Sequence, residues 1–244
     1  MHPIICQIGP VSIYSYGVML ALAVFVCSFL LYREAARQGF HPDSIMDLVF
    51  WVVVGGIVGA RVFYIFLNKE FFLEHPTEII MLHHGGLAFQ GSLIAGLITG
   101  LVFIRRRGLP LGRTLDLVSP YIALGHAIGR IGCFLNGCCY GKPWIYGIYF
   151  PVHEERLHPT QLYESLGLLL LFLFLKNLQS RNQVPGRVFI WYLLLASALR
   201  FGVEFFRADH LELFWGLSIF QMVSLGVFAA GLYAKYHLES HSRK

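Results

Sequence analysis

Seven long runs of apolar residues, each carrying almost no charge, constrain this chain more than any other feature. They cover residues 14–32, 47–67, 87–104, 115–135, 160–175, 188–206 and 213–234. A helix of about 20 apolar residues crosses the roughly 30 Å hydrocarbon core of a bilayer. In lipid such a run must satisfy its own backbone hydrogen bonds, so it folds as a helix. The expected fold is an all-α polytopic integral membrane protein with seven transmembrane helices. Hydrophobic residues make up 56% of the chain and charged residues 14%, where a soluble domain carries about a quarter charged. The 244 residues accommodate these spans and short loops as a single transmembrane domain, 1–244, with loops at about 69–86 and 136–159.

The basic residues give the expected orientation. Arg33, Arg37, Arg105, Arg106, Arg107, Arg113, Lys176, Arg181, Arg187, Lys235, Arg243 and Lys244 fall on one side of the predicted spans, and Lys69, Lys142, Arg156 and Arg207 on the other. Positive charge in short loops stays in the cytoplasm, which puts the N-terminus outside, the C-terminus inside and both long loops on the periplasmic or cell-exterior face. The net charge of +5 forms no continuous basic face, so no nucleic-acid partner is expected. The opening Met1-His2-Pro3-Ile4 has no basic stretch of a cleaved signal, and the first helix is expected to be retained.

Charged residues inside apolar runs need a chemical reason. Arg130 lies in Gly129-Arg130-Ile131-Gly132-Cys133-Phe134-Leu135-Asn136-Gly137. Its planar guanidinium suits bidentate capture of a phosphate, and a structural salt bridge or snorkelling to the interface are the other readings. Arg200 and Glu204 are four residues apart and share a helical face, with Arg207 just beyond. Glu204 can orient an arginine against phosphate or accept a proton, or the set can be a structural ion pair. Arg61, in the second span, has no acid within one turn of its own helix and is a candidate phosphate or backbone ligand. The run His84-Gly85-Gly86-Leu87-Ala88-Phe89-Gln90 enters the third span, where a helix N-terminus offers amides to an anionic headgroup. Tyr14 and Tyr16 open the first span, where interfacial anchoring suffices to explain them. Glycine pairs four apart, such as Gly55 and Gly59, read as close helix packing.

Of five cysteines, Cys133, Cys138 and Cys139 are clustered in sequence, whereas Cys6 and Cys27 stand apart. A Cys133–Cys138 or Cys133–Cys139 disulfide, free thiols, and metal binding with His126, His153 or His158 are all open. The spacing matches no standard zinc pattern, and no metal or cofactor is expected.

Five segments in series resemble the prolipoprotein diacylglyceryl transferases of bacteria: Gly9 to Ile13, His84 to Phe89, Gly129 through Gly141, His158-Pro159-Thr160-Gln161-Leu162-Tyr163-Glu164, and Arg200 through Arg207. The resemblance implies transfer of the diacylglyceryl group of phosphatidylglycerol to the lipobox cysteine of a prolipoprotein, forming a thioether and releasing glycerol 1-phosphate. It implies catalytic roles for Tyr16, Arg130, Arg200 and Glu204. Substrate contacts are implied at Arg61, His84, Gly85, Gly86, Gln90, Asn136, Gly141 and Arg207. The expected partners are phosphatidylglycerol, the lipobox segment and membrane lipids, with the protein acting as a monomer.

Three positions depart from the family pattern. Cys133 stands where asparagine is usual, Cys138 where an acidic residue is usual, and Gln90 where a histidine proposed as base is usual. The chain therefore reads as a divergent, cysteine-rich member. The proton-accepting role then falls to Glu204, to His84 or His126, or to a cysteine thiolate. A related enzyme with another lipid or acceptor, or a non-catalytic lipid-binding or transport protein, are the alternatives.

Overall fold

Helix dominates the computed structural model, which describes residues 1–8, 11–81, 85–181, 184–208, 212–214 and 216–242. A hairpin of β1 (Ile4–Ile8) and β2 (Val11–Tyr14) leads into α1 (Ser15–Arg37). There follow α2 (Pro42–Leu67), the short α3 (Lys69–Glu74), a 3-10 turn at Pro76–Ile79, α4 (Phe89–Arg106) and α5 (Leu111–Asn136). A second hairpin, β3 (Pro143–Phe150) and β4 (Glu155–Leu157), precedes α6 (Thr160–Arg181) and α7 (Arg187–Glu204). A third, β5 (Glu212–Phe214) and β6 (Leu217–Ser218), precedes α8 (Ile219–Ser242). Each hairpin is a two-stranded antiparallel sheet, so the helical fold carries small β elements that the all-α expectation did not include.

The seven expected spans are corrected to five. Among the described residues, five helices are long and apolar enough to cross a bilayer: α1, α2, α5, α6 and Ile219–Ser240 of α8. The polytopic membrane character stands. The two helices that fall short are α4 and α7, with 18 residues each. At 1.5 Å per residue each is about 27 Å long, and polar residues occupy that length. Gln90 and the pair Arg105, Arg106 take the ends of α4. Arg187, Arg200 and Glu204 are carried by α7. The apolar runs at 87–104 and 188–206 therefore overstate the lipid-compatible length.

The chain divides into two compact units, Met1–Leu31 with Leu115–Lys244, and Tyr32–Thr114. In the second unit α2 packs along α4 through small residues. A Cβ added at Gly59 would lie 2.1 Å from Ala95 Cβ and 2.6 Å from the Gly91 carbonyl oxygen; one added at Gly91 would lie 2.3 Å from the Gly59 oxygen. Lipid supplies no hydrophobic drive between helices, so close backbone approach provides the dispersion contacts instead.

In the first unit α7 packs against both α6 and α8. Its core joins Ala123 and Ala127 of α5, Leu168, Leu171 and Leu175 of α6, and Val188 of α7. Away from the functional site, one polar device ties α5, α6 and α7 together. Pro120 lies inside α5 and cannot donate to the carbonyl four residues earlier. That carbonyl, on Asp116, accepts instead from Gln179 Nε2 of α6 at 2.8 Å. The Asp116 carboxylate in turn accepts from Gly186 N at 2.7 Å and Phe189 N at 2.8 Å, satisfying donors at the start of α7 that no helical bond reaches.

Gln179→Leu strands the Asp116 carbonyl. It is expected to lower stability by about 1–3 kcal/mol, seen as a lower unfolding midpoint of the detergent-solubilised protein. An unchanged midpoint would remove Gln179 from this account.

Candidate functional site

At the other end of α5, α6 and α7, charged side chains converge within the first unit. Glu164, five residues into α6, is 3% exposed. Its Oε1 lies 3.0 Å from Arg130 Nη2 of α5 and 3.6 Å from His126 Nε2, and its Oε2 lies 3.5 Å from Arg200 Nη1 of α7. Glu204, fully buried at the end of α7, continues the chain. Its Oε2 lies 2.8 Å from Arg200 Nη2 and 3.7 Å from Arg207 Nε, and its Oε1 accepts from Ser218 Oγ at 2.8 Å. Arg200 also stacks over the Phe220 ring at 5.0 Å.

Charges this deep are costly unless paired, and Arg130, Arg200 and Arg207 face Glu164 and Glu204. Two buried donors, Arg130 Nε and Arg200 Nη1, have no hydrogen-bond partner among the described residues. The arrangement can accept an anion.

The segment after α5 closes over this set. Gly141 N donates to His158 O at 2.9 Å, Lys142 N to Phe206 O at 2.8 Å, and Gly141 pairs with Arg207 in an antiparallel bridge. Only glycine fits there: an added Cβ would lie 2.5 Å from His158 Cβ and 2.6 Å from the Phe206 oxygen. At the start of α6, Thr160 Oγ1 donates to Cys139 O at 2.8 Å and Gln161 Nε2 to Cys138 O at 2.6 Å. The segment is thereby held from two helices. Outside it, His158 stacks on Trp144 at 4.5 Å and its Nδ1 lies 3.2 Å from the Tyr163 hydroxyl.

Cys133, Cys138 and Cys139 meet here. All five cysteines are free thiols, and the Sγ atoms of these three lie within 4.8 Å of one another. The Cys139 thiol is pulled well below the usual thiol range by hydrogen bonds from Cys133 and Cys138, with Arg207 and Arg130 adding attraction.

The other residues singled out in the sequence are distributed as follows. Tyr16, in the first turn of α1, is 38% exposed, and its ring borders Gly132, whose added Cβ would lie 3.2 Å from Tyr16 Cδ2. Asn136 ends α5 and is half-buried. Arg61, in the second unit, is buried and donates to backbone carbonyls only: Ile79, Gly85, Gly86, Glu78 and Met81. These bonds use all five N–H groups of a guanidinium and pin the segment before α4 to α2. Gly85 and Gly86 thus enter the structure as carbonyl acceptors. Gln90 is exposed in the first turn of α4, and His84 lies outside the described residues.

Sequence reasoning left two residues out of the site. Glu164 bridges two arginines, and the available signal was a carboxylate placed at the head of a Leu- and Phe-rich run. Ser218, which donates to Glu204, left no signal, because β6 and α7 meet only in the folded chain.

Comparison with known proteins adds an independent line. The family model described as prolipoprotein diacylglyceryl transferase matches residues 3–236. A phosphatidylglycerol–prolipoprotein diacylglyceryl transferase of Nostoc sp. is 36% identical, with 94% of this chain and 87% of that protein covered. Its namesake in Bacillus mycoides is 37% identical over 91% and 86%, and that of Clostridium tetani 33% identical over 96% of each. With matches of this length and identity, converging on a chain whose largely buried arginines and glutamates come together at one end of its helices, the protein belongs to the prolipoprotein diacylglyceryl transferase family.

Proposed function

We propose that this protein transfers the diacylglyceryl group of phosphatidylglycerol to the lipobox cysteine thiol of a prolipoprotein, releasing glycerol 1-phosphate. The observation that carries the proposal is the convergence of the largely buried Arg130 and Arg200 on Glu164, with Arg130 Nε and Arg200 Nη1 left without a hydrogen-bond partner among the described residues. In this reaction the thiol sulfur attacks the diacylglyceryl carbon bonded to the phosphate oxygen. The S–C bond forms, the C–O bond breaks, and its electron pair leaves with the phosphate. A phosphodiester of one negative charge becomes a monoester of nearly two. Fixed positive charge therefore stabilises the transition state more than the bound lipid, which is the condition for catalysis.

Arg130 binds the headgroup phosphate, using the buried Nε that has no partner among the described residues. Glu164 and Glu204 hold Arg130, Arg200 and Arg207 in place. Both carboxylates are engaged by guanidinium groups, so the thiol proton goes to another acceptor. His126, whose Nε2 lies beside Glu164, takes it. Tyr16, Asn136 and Gly141 border the lipid headgroup and the peptide.

The site faces the periplasm of a bacterial inner membrane. In support, the spanning helix α6 begins at the site and ends at Arg181, so a basic residue marks its opposite, cytoplasmic end. The protein acts as a monomer, since one chain supplies every residue of the charged set.

Purified protein given phosphatidylglycerol and a lipobox peptide is expected to release glycerol phosphate and add one diacylglyceryl mass to the peptide, in equal amounts. Phosphate release without peptide modification would point to a different acceptor, and neither signal from folded protein would sink the proposal. Arg130→Ala and Glu204→Ala are each expected to reduce kcat by about 100-fold or more, with insertion retained. Arg130→Lys should recover little, because an ammonium lacks the planar fork.

His126→Asn is expected to lower the rate at neutral pH by about 100-fold or more. The deficit should shrink above about pH 8.5, where the substrate thiol ionises unaided. A variant equally slow at all pH values would assign His126 a structural role.

A further inference from the structure

Cys133, Cys138 and Cys139 follow no familiar metal spacing in sequence, yet the fold brings their three sulfurs within 4.8 Å of one another. The convergence is built by the backbone. After α5 ends, Gly137 takes φ 79° and Cys139, although not a glycine, is held at φ 62°. Cys138 N donates to Cys133 O at 3.2 Å, which folds the chain back over the last turn of the helix. Gln161 and Thr160 then fix the carbonyls of Cys138 and Cys139 from α6, and both of these side chains are 1% exposed. A left-handed conformation at a residue with a Cβ is unfavourable and persists only where its surroundings enforce it. Here it turns the Cys139 thiol towards the other two.

We infer that these three thiols form a binding site for one thiophilic d10 cation, Zn²⁺ or Cu⁺. Sulfur-to-metal bonds of about 2.3 Å place the sulfurs of a three-thiolate site roughly 4 Å apart, so the observed cluster needs only a small contraction. Soft thiolate ligands select these ions over Mg²⁺ or Ca²⁺. Three thiolates around a mono- or divalent ion leave net negative charge, and the segment that carries two of them is bridged to the cationic Arg207. Zn²⁺ would complete a tetrahedron with water, whereas Cu⁺ is satisfied by three sulfurs. The segment that carries the thiols also carries Gly141 and the bridge to Arg207, so metal binding would stiffen the cover of the charged set. The inference rests on the thiol geometry and stands whether or not the proposed transfer reaction is correct.

The test uses the full chain, purified in detergent with reductant and chelator and then desalted under argon. It is titrated separately with Zn²⁺ and with Cu⁺ held by a competing chelator, and retained metal is measured by elemental mass spectrometry. About one equivalent of at least one ion should be retained. Cys133→Ser, Cys138→Ser and Cys139→Ser should each weaken retention about tenfold or more, and Cys6→Ser and Cys27→Ser should leave it unchanged. Co²⁺ loading should add a sulfur-to-cobalt charge-transfer band that the same three variants lose. A loss of retention that accompanies misfolding is separated by the Co²⁺ band of Cys138→Ala, which should weaken while the unfolding midpoint is kept. Three outcomes would overturn the inference: no stoichiometric retention of either ion, retention indifferent to the three substitutions, or a Cys133 disulfide that re-forms in the desalted protein and excludes metal.

Discussion

The carboxylate of Glu164 is the interaction on which the first unit depends. It enters from α6 and meets Arg130 of α5 and Arg200 of α7. Without it, two buried guanidinium groups would face each other across the packed helices with Glu204 as the one remaining acid. Removing one partner of a buried ion pair costs more than the pair contributes, because the charge left behind is uncompensated. Glu164 is thus what lets three helices close around a polar centre at all. Glu204 extends the arrangement to Arg207 and Ser218, which ties the end of α7 to the segments that cover it.

The opposite end of the same three helices shows what a purely structural polar lock looks like. Asp116 accepts from two backbone amides, and its own carbonyl, released by Pro120, accepts from Gln179. Each of these acceptors meets a donor. At the functional end Arg130 Nε and Arg200 Nη1 lack hydrogen-bond partners among the described residues. Buried polar groups are rarely left this way without a reason. The unmatched guanidinium donors mark this end as the one suited to an anionic ligand.

How much of this was legible in the sequence depends on the distance over which each feature is encoded. Helix periodicity and apolar length are local, so the polytopic helical character was readable, and so was the Arg200–Glu204 contact, set by a spacing of four. The number of spanning helices was not, because an apolar run does not reveal how much of its length charged ends remove; α4 and α7 fail on that ground. Glu164 was visible as a carboxylate at the head of an apolar helix, but its two arginine partners lie 34 residues before and 36 after it in the chain. The thiol cluster needed a left-handed residue at Cys139, and a non-glycine residue gives no advance sign of that conformation.

Arg61 and Arg130 sharpen the same point. Both are arginines within apolar runs, and sequence treats them as equivalent candidates for a phosphate. Their surroundings separate them. Arg61 meets five backbone carbonyls brought to it by the segment before α4, so every donor of its fork is taken and its positive charge serves to fold that segment. Arg130 meets one carboxylate at 3.0 Å and keeps a buried Nε with no hydrogen-bond partner among the described residues. An intramembrane arginine therefore indicates function only after its donors have been matched one by one. By that criterion Arg130 is the one of the two with a donor left for an anionic ligand, whereas Arg61 belongs to the architecture that forms the turn into α4.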